Sequence, residues 1–88
     1  GVIKMNSFKI GKVTHFYEKI GVAIIELDSD LSLGDKIKFA RGGEDMFEQD
    51  VSSIQIEHNK IETAKKGDII GLKVEKDVKE GAEVYKIQ

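Results

Sequence analysis

The chain has 88 residues, 40% of them hydrophobic and 34% charged, with a formal charge of −2 and neither cysteine nor proline. That size is one domain, the composition is globular rather than disordered, and no apolar run approaches the roughly 20 residues of a membrane span. Disulfides, thiol nucleophiles and zinc fingers are excluded, and the totals lack the basic footprint that supplies most non-specific nucleic-acid affinity.

A small domain that holds together without covalent staples suits a reducing compartment, so a cytoplasmic location is expected. The chain carries no signal-peptide pattern, and its opening Gly1 in place of Met is what a processed tag or an excised fragment leaves. Residues 1–7 read as an N-terminal tail and residues 8–88 as the domain.

Residues 8–17, FKIGKVTHFY, are β-branched and aromatic and predict a first long strand, with Gly11 as a bulge or a point of close approach. After a turn at residues 18–21, residues 22–27, VAIIEL, form the most apolar run of the chain. If Ala23, Ile25 and Leu27 face a core, Val22 and Ile24 face outward and call for a cover: a loop or the N-terminal segment of the same chain, or a docking face for another domain or subunit. Residues 28–33 read as a polar connection, and Ile37 and Phe39 alternate with Lys36 and Lys38 in the next strand.

Residues 41–50, RGGEDMFEQD, read as the least regular part, with Gly42 and Gly43 in a flexible turn and Met46 and Phe47 available to plug a barrel end. In residues 51–74, VSSIQIEHNKIETAKKGDIIGLKV, the alternation predicts a strand bearing Ile54 and Ile56, a hairpin tip at His58 and Asn59, a corner at Gly67, and a strand that aligns Ile70, Leu72 and Val74. Residues 78–81 turn, and residues 83–87 close the chain with Tyr85 and Ile87 on one face. Gly34, Gly67 and Gly81 each precede a strand, as tight corners with positive φ do.

In that order, Gly11 and Val13, the segment ELDSDLSLGDKI, the strand VSSIQI, then Ala64, Gly67, Asp68, Gly71 and Gly81 give a chain that resembles the second domain of elongation factor Tu and its relatives among translational GTPases. It is most similar to small stand-alone elongation-factor-like proteins and to the accessory barrel of collagenase-like peptidases. The resemblance implies an all-β fold, a single closed antiparallel β-barrel of six or seven strands. In the translational GTPases such a barrel contacts the acceptor end of tRNA or ribosomal RNA. The phosphate-binding loop G-x-x-x-x-G-K-[ST] is missing from the sequence, so no nucleotide is expected, and no functional residue carries across.

The candidate sites are correspondingly modest. Arg41, Gly42 and Gly43 could cradle a phosphate, opposed by Glu44 and Asp45. Lys36 and Lys38, with Lys9, Lys12, Lys65 and Lys66, suit a solvated exterior or a weak RNA-facing stripe. His15 and His58 lack the spacing of a metal site, Asp28, Ser29 and Asp30 lack the glycine of a calcium loop, and Ser52 and Ser53 have no base. No catalytic residue, metal or cofactor is expected. The expected function is a non-enzymatic module docking RNA, a ribosomal component or a partner domain, or else an accessory protein-interaction barrel of a peptidase-type protein or a homo-oligomer. Its partners would be RNA, a protein or a second copy, and not a membrane.

Overall fold

The computed structural model describes residues 7–88; the expected N-terminal tail therefore lies outside the described residues, apart from Ser7, which opens the first strand. Ten strands follow in order: β1 (Ser7–Tyr17), β2 (Val22–Leu27), β3 (Leu31–Ser32), β4 (Lys36–Arg41), β5 (Glu44–Asp50), β6 (Ile54–Ile56), β7 (Asn59–Ile61), β8 (Thr63–Ala64), β9 (Ile69–Lys73) and β10 (Glu83–Ile87). Every pairing is antiparallel. No described residue is helical, as the sequence pattern requires.

Eight strands form one sheet in the order β5-β4-β10-β1-β2-β9-β6-β7, and β3 pairs with β8 in a separate two-stranded ladder. The expectation of a single closed barrel of six or seven strands is corrected here, because the sheet ends at β5 and β7 and those edges do not pair. A side chain instead links β5 to the end of β9. Gln49, at the end of β5 and only 4% exposed, donates from Nε2 to the Lys73 carbonyl at 2.9 Å and accepts the Glu75 amide on Oε1 at 2.8 Å. One amide side chain thus imitates the donor and acceptor of a ladder partner.

The core lies inside this curved sheet. Ile10, Val13, Ala23, Ile25, Ile37, Phe39, Leu72 and Val84 are fully buried, with Leu31 and Ala64 of the small ladder packed among them. Each large side chain of this set contributes about 1.5–3 kcal/mol through burial. The period-two readings of β2, β4 and β9 hold: Ala23, Ile25 and Leu27, then Ile37 and Phe39, then Ile70, Leu72 and Val74, all face inward.

Two local expectations change. Residues 41–50 form a hairpin with the end of β4 rather than an irregular loop, with a bulge at Met46: Arg41 pairs with Glu44 across Gly42 and Gly43, whose φ values of 61° and 81° make the tight turn that matches strand twist. Met46 therefore stands 38% exposed on a strand, and only Phe47 packs inward, its ring stacked 4.9 Å from that of Phe39. Residues 28–33 hold a short strand, since Leu31 is fully buried and pairs with Ala64. The corners at Gly34, Gly67 and Gly81 take φ of 87°, 93° and 87°.

Candidate functional site

The outward side of β2 carries Val22 and Ile24, both half-buried, and its two neighbouring strands differ in what they place there. On β9, Lys73, Gly71 and Ile69 stand opposite Val22, Ile24 and Glu26 in register. Beyond β9, Gln55 of β6 stands opposite the same Gly71. Gly71 thus occupies the middle of a three-strand face and contributes no side chain. The result is a groove of about 710 Å³, floored by Val22, Ile24 and Gly71, with Tyr17, Ile20, Ile56 and Ile69 on its apolar walls.

Ile20 and Ile69 are each 59% exposed and Tyr17 49%, so this half of the surface leaves three large apolar side chains in water. That exposure is the cost of the arrangement, and no described residue of the chain covers them. Nor does the fold require Gly71. A Cβ built there would lie 3.4 Å from Val22 Cγ1, 3.8 Å from Ile24 Cδ1 and 3.9 Å from the Gln55 carbonyl, all ordinary contacts. A mid-strand glycine of this kind weakens the strand by about 0.5–1 kcal/mol against alanine, and such glycines often mark a bulge, a tight bend or a close approach of a ligand or another backbone.

At one end of the groove the β6–β7 turn contributes Glu57 and His58, both in the left-handed region at φ 49° and 68°. The turn tip is thus one residue earlier than the sequence suggests, because Ile56 pairs with Asn59 and leaves Glu57 and His58 as the loop. Side chains other than glycine and asparagine sit there at a cost of about 1–2 kcal/mol each. Asp68 adds a second carboxylate to the lining, with Oδ2 accepting the Lys65 amide at 2.8 Å and so fixed in place. At the other end, Lys73 Nζ donates to the Ile20 carbonyl at 3.0 Å, tying the β1–β2 turn to β9.

The remaining candidates lie apart from this groove. Arg41 lines a shallow depression of about 260 Å³ with Glu44, Asp45, Met46 and Lys79. Gly42 and Gly43 form the adjoining hairpin tip, with nothing within 4 Å of either Cβ position. Lys36 and Lys38 are on the outer face of β4. Lys38 pairs with Asp45 at 3.2 Å and lies 5.2 Å from the centre of the Tyr85 ring, while Lys36 stands opposite Asp50 in register. Lys9 likewise faces Glu83 at 3.8 Å. His15 bonds through Nδ1 to Glu80 Oε1 at 2.9 Å, and no group of three metal-ligating side chains converges among the described residues.

Of the residues picked out in the sequence, Val22 and Ile24 come together in this groove, with His58 at its rim, while Arg41 meets Glu44 and Asp45 in the separate depression. Tyr17, Ile20, Ile69 and Gly71 were missed. The pair of consecutive isoleucines at 69 and 70 was the available signal, because only one of two neighbours on a strand can face the core.

Architecture and surface together define a small antiparallel β-domain with an uncovered apolar groove and no assembled catalytic constellation among its described residues. No protein-family model matches the chain. Over 82 residues, 93% of its length, it is 43% identical to an uncharacterized protease of the archaeon Methanocaldococcus jannaschii, of which it spans only 20%. Its fold is similar to that of the C-terminal domain of a Geobacillus thermoleovorans protein assigned to the U32 peptidases: TM-score 0.82, 21% identity, 89% of this chain and 90% of that one. The selenomethionine variant of the same domain superposes with a TM-score of 0.81 at 20% identity, over 88% of this chain and 96% of its own.

Proposed function

We propose that this chain is a non-catalytic accessory domain of a peptidase-type protein and that it holds a polypeptide through the groove over β2, β9 and β6. The observation that carries this reading is Gly71: a glycine that the fold does not need, at the floor of an exposed apolar groove. The comparisons support it through their extent, since the chain spans a fifth of one protease and resembles a terminal domain of another. Of the lysines that an RNA-binding role would use, Lys38 and Lys9 are each met by an acid, which weakens that part of the surface for phosphate contacts.

Amide chemical shifts of the 15N-labelled chain provide the test. Titration with casein, as a generic unfolded polypeptide, is expected to move the signals of Tyr17, Val22, Ile24 and Gly71, with no hydrolysis of the casein by the chain alone. Titration with bulk tRNA is expected to move none. Salt-sensitive shifts at Lys36, Lys38 and Arg41 on adding tRNA, with none from casein, would overturn the reading in favour of an RNA-docking barrel.

A further inference from the structure

Resting on the reading of the groove as a docking surface, we propose that its occupant is a polypeptide segment with a bulky apolar side chain flanked by lysine or arginine. The apolar part of the preference follows from the floor. Above Gly71 the space is bounded by Val22 and Ile24 on one side and Ile69 on the other, so a large aliphatic or aromatic side chain seated there would cover surface now left in water.

The basic part follows from the charges. Glu57 and Asp68 line the groove and, among the described residues, no lysine or arginine does. Glu26 adds a third carboxylate, exposed and in register with Ile69. The ammonium of Lys73, at the Val22 end, is turned to the Ile20 carbonyl. His58 beside Glu57 and the Tyr17 hydroxyl complete the titratable groups of the lining; outside it, Lys60 of β7 stands opposite Gln55 and Lys12 of β1 opposite Glu26 in register. An apolar occupant with acidic neighbours would bring like charges together at this rim, and a basic one would pair them. The placement of Glu57 strengthens the argument, because its positive φ holds a carboxylate at the rim in a turn position where glycine or asparagine would sit with less strain.

The probes are two fluorescein-labelled hexapeptides, each with two central phenylalanines, one flanked by lysines and the other by glutamates. Fluorescence anisotropy with the 88-residue chain is expected to show at least tenfold tighter binding of the lysine-flanked peptide, narrowing as salt is raised. Gly71→Leu should abolish that binding while the dispersed amide spectrum of the folded chain persists, and Glu57→Gln should weaken it three- to tenfold. Should Gly71→Leu fail to fold, Gly71→Ala and Glu57→Gln still decide the matter. Equal binding of both peptides, lost in Gly71→Leu, would overturn the charge preference and leave the docking reading standing. Binding of neither peptide would overturn both. A chain that dimerises by light scattering, and becomes monomeric in Gly71→Leu, would make the occupant a second copy and overturn the proposal as well.

Discussion

Two glycines flank β2, one on each side, and they are there for opposite reasons. Gly11 of β1 stands opposite Leu27, and Gly71 of β9 stands opposite Ile24. A Cβ at Gly11 would lie 2.7 Å from the Glu26 carbonyl and 2.9 Å from Ile25 Cγ2, distances that real side chains do not show. At Gly71 the shortest such distance is 3.4 Å. The first glycine is a condition of the fold, because β1 bulges there and its backbone crosses β2 too closely for any side chain. The second leaves open a space that folding would allow to be filled. A missing side chain is informative about function only where packing does not already explain it.

The sharpest way to break this contrast is to give both glycines a methyl group. Gly11→Ala should cost about 2–3 kcal/mol, since the obstacle is backbone on one side and fully buried Ile25 on the other, and neither can give way cheaply. Urea unfolding would measure it as a lowered midpoint with an unchanged slope. Gly71→Ala should change stability by less than about 1 kcal/mol, and in the stabilising direction, because alanine restricts the unfolded chain more than glycine does. Equal losses at the two positions would remove the distinction on which the functional reading depends.

Next in size is Gln49. Its side chain bridges β5 and the end of β9, the strand that carries Gly71, where the backbone ladder is interrupted. Gln49→Ala leaves the Lys73 carbonyl and the Glu75 amide without that partner, at a cost of about 1–3 kcal/mol. Hydrogen exchange is expected to quicken at Glu75 and along β9 while β1 and β10 stay protected. Faster exchange across all strands alike would mean that the gap is held by something other than this side chain.

How much of this was legible beforehand follows from the same residues. Period-two alternation placed the inward faces of β2, β4 and β9, and Gly11 read as a bulge, because burial and close approach leave a local mark on residue type. The second strand of the β4–β5 hairpin read as irregular because Glu44, Asp45, Glu48 and Asp50 give it an acidic surface composition, and strand propensity there is overridden by pairing. The side-chain link from β5 to β9 left no mark in the sequence, and the closed barrel that the resemblance implied is not what forms. Gln49 is an ordinary polar residue until its neighbours in space, 24 and 26 residues away in sequence, are known. Val22 and Ile24 pointed to the groove from β2, whereas its floor at Gly71 looked like one more structural glycine.

The smallest effect concerns the opposite outer face, over β4 and β10, where the polar side chains are already matched to one another. Tyr85 donates its hydroxyl to Glu83 Oε2 at 3.1 Å, and Lys38 sits over its ring. The hydrogen bond to Glu83 does most to raise the phenol above its usual value of 10.0, with burial and the Glu83 charge acting the same way and the Lys38 charge opposing them. An unfolded chain releases this proton at the ordinary value while the folded chain keeps it to higher pH. The contribution to stability is therefore intact below pH about 10 and is lost as pH climbs through the folded value. Absorbance at 295 nm, compared between the native chain and Glu83→Ala, isolates Tyr85, the tyrosine bonded to the replaced side chain. The midpoint assigned to Tyr85 should fall in the variant. If it does not move, the Tyr85–Glu83 pairing is not what satisfies this face, and the contrast between a matched β10 and an open β9 loses its polar half.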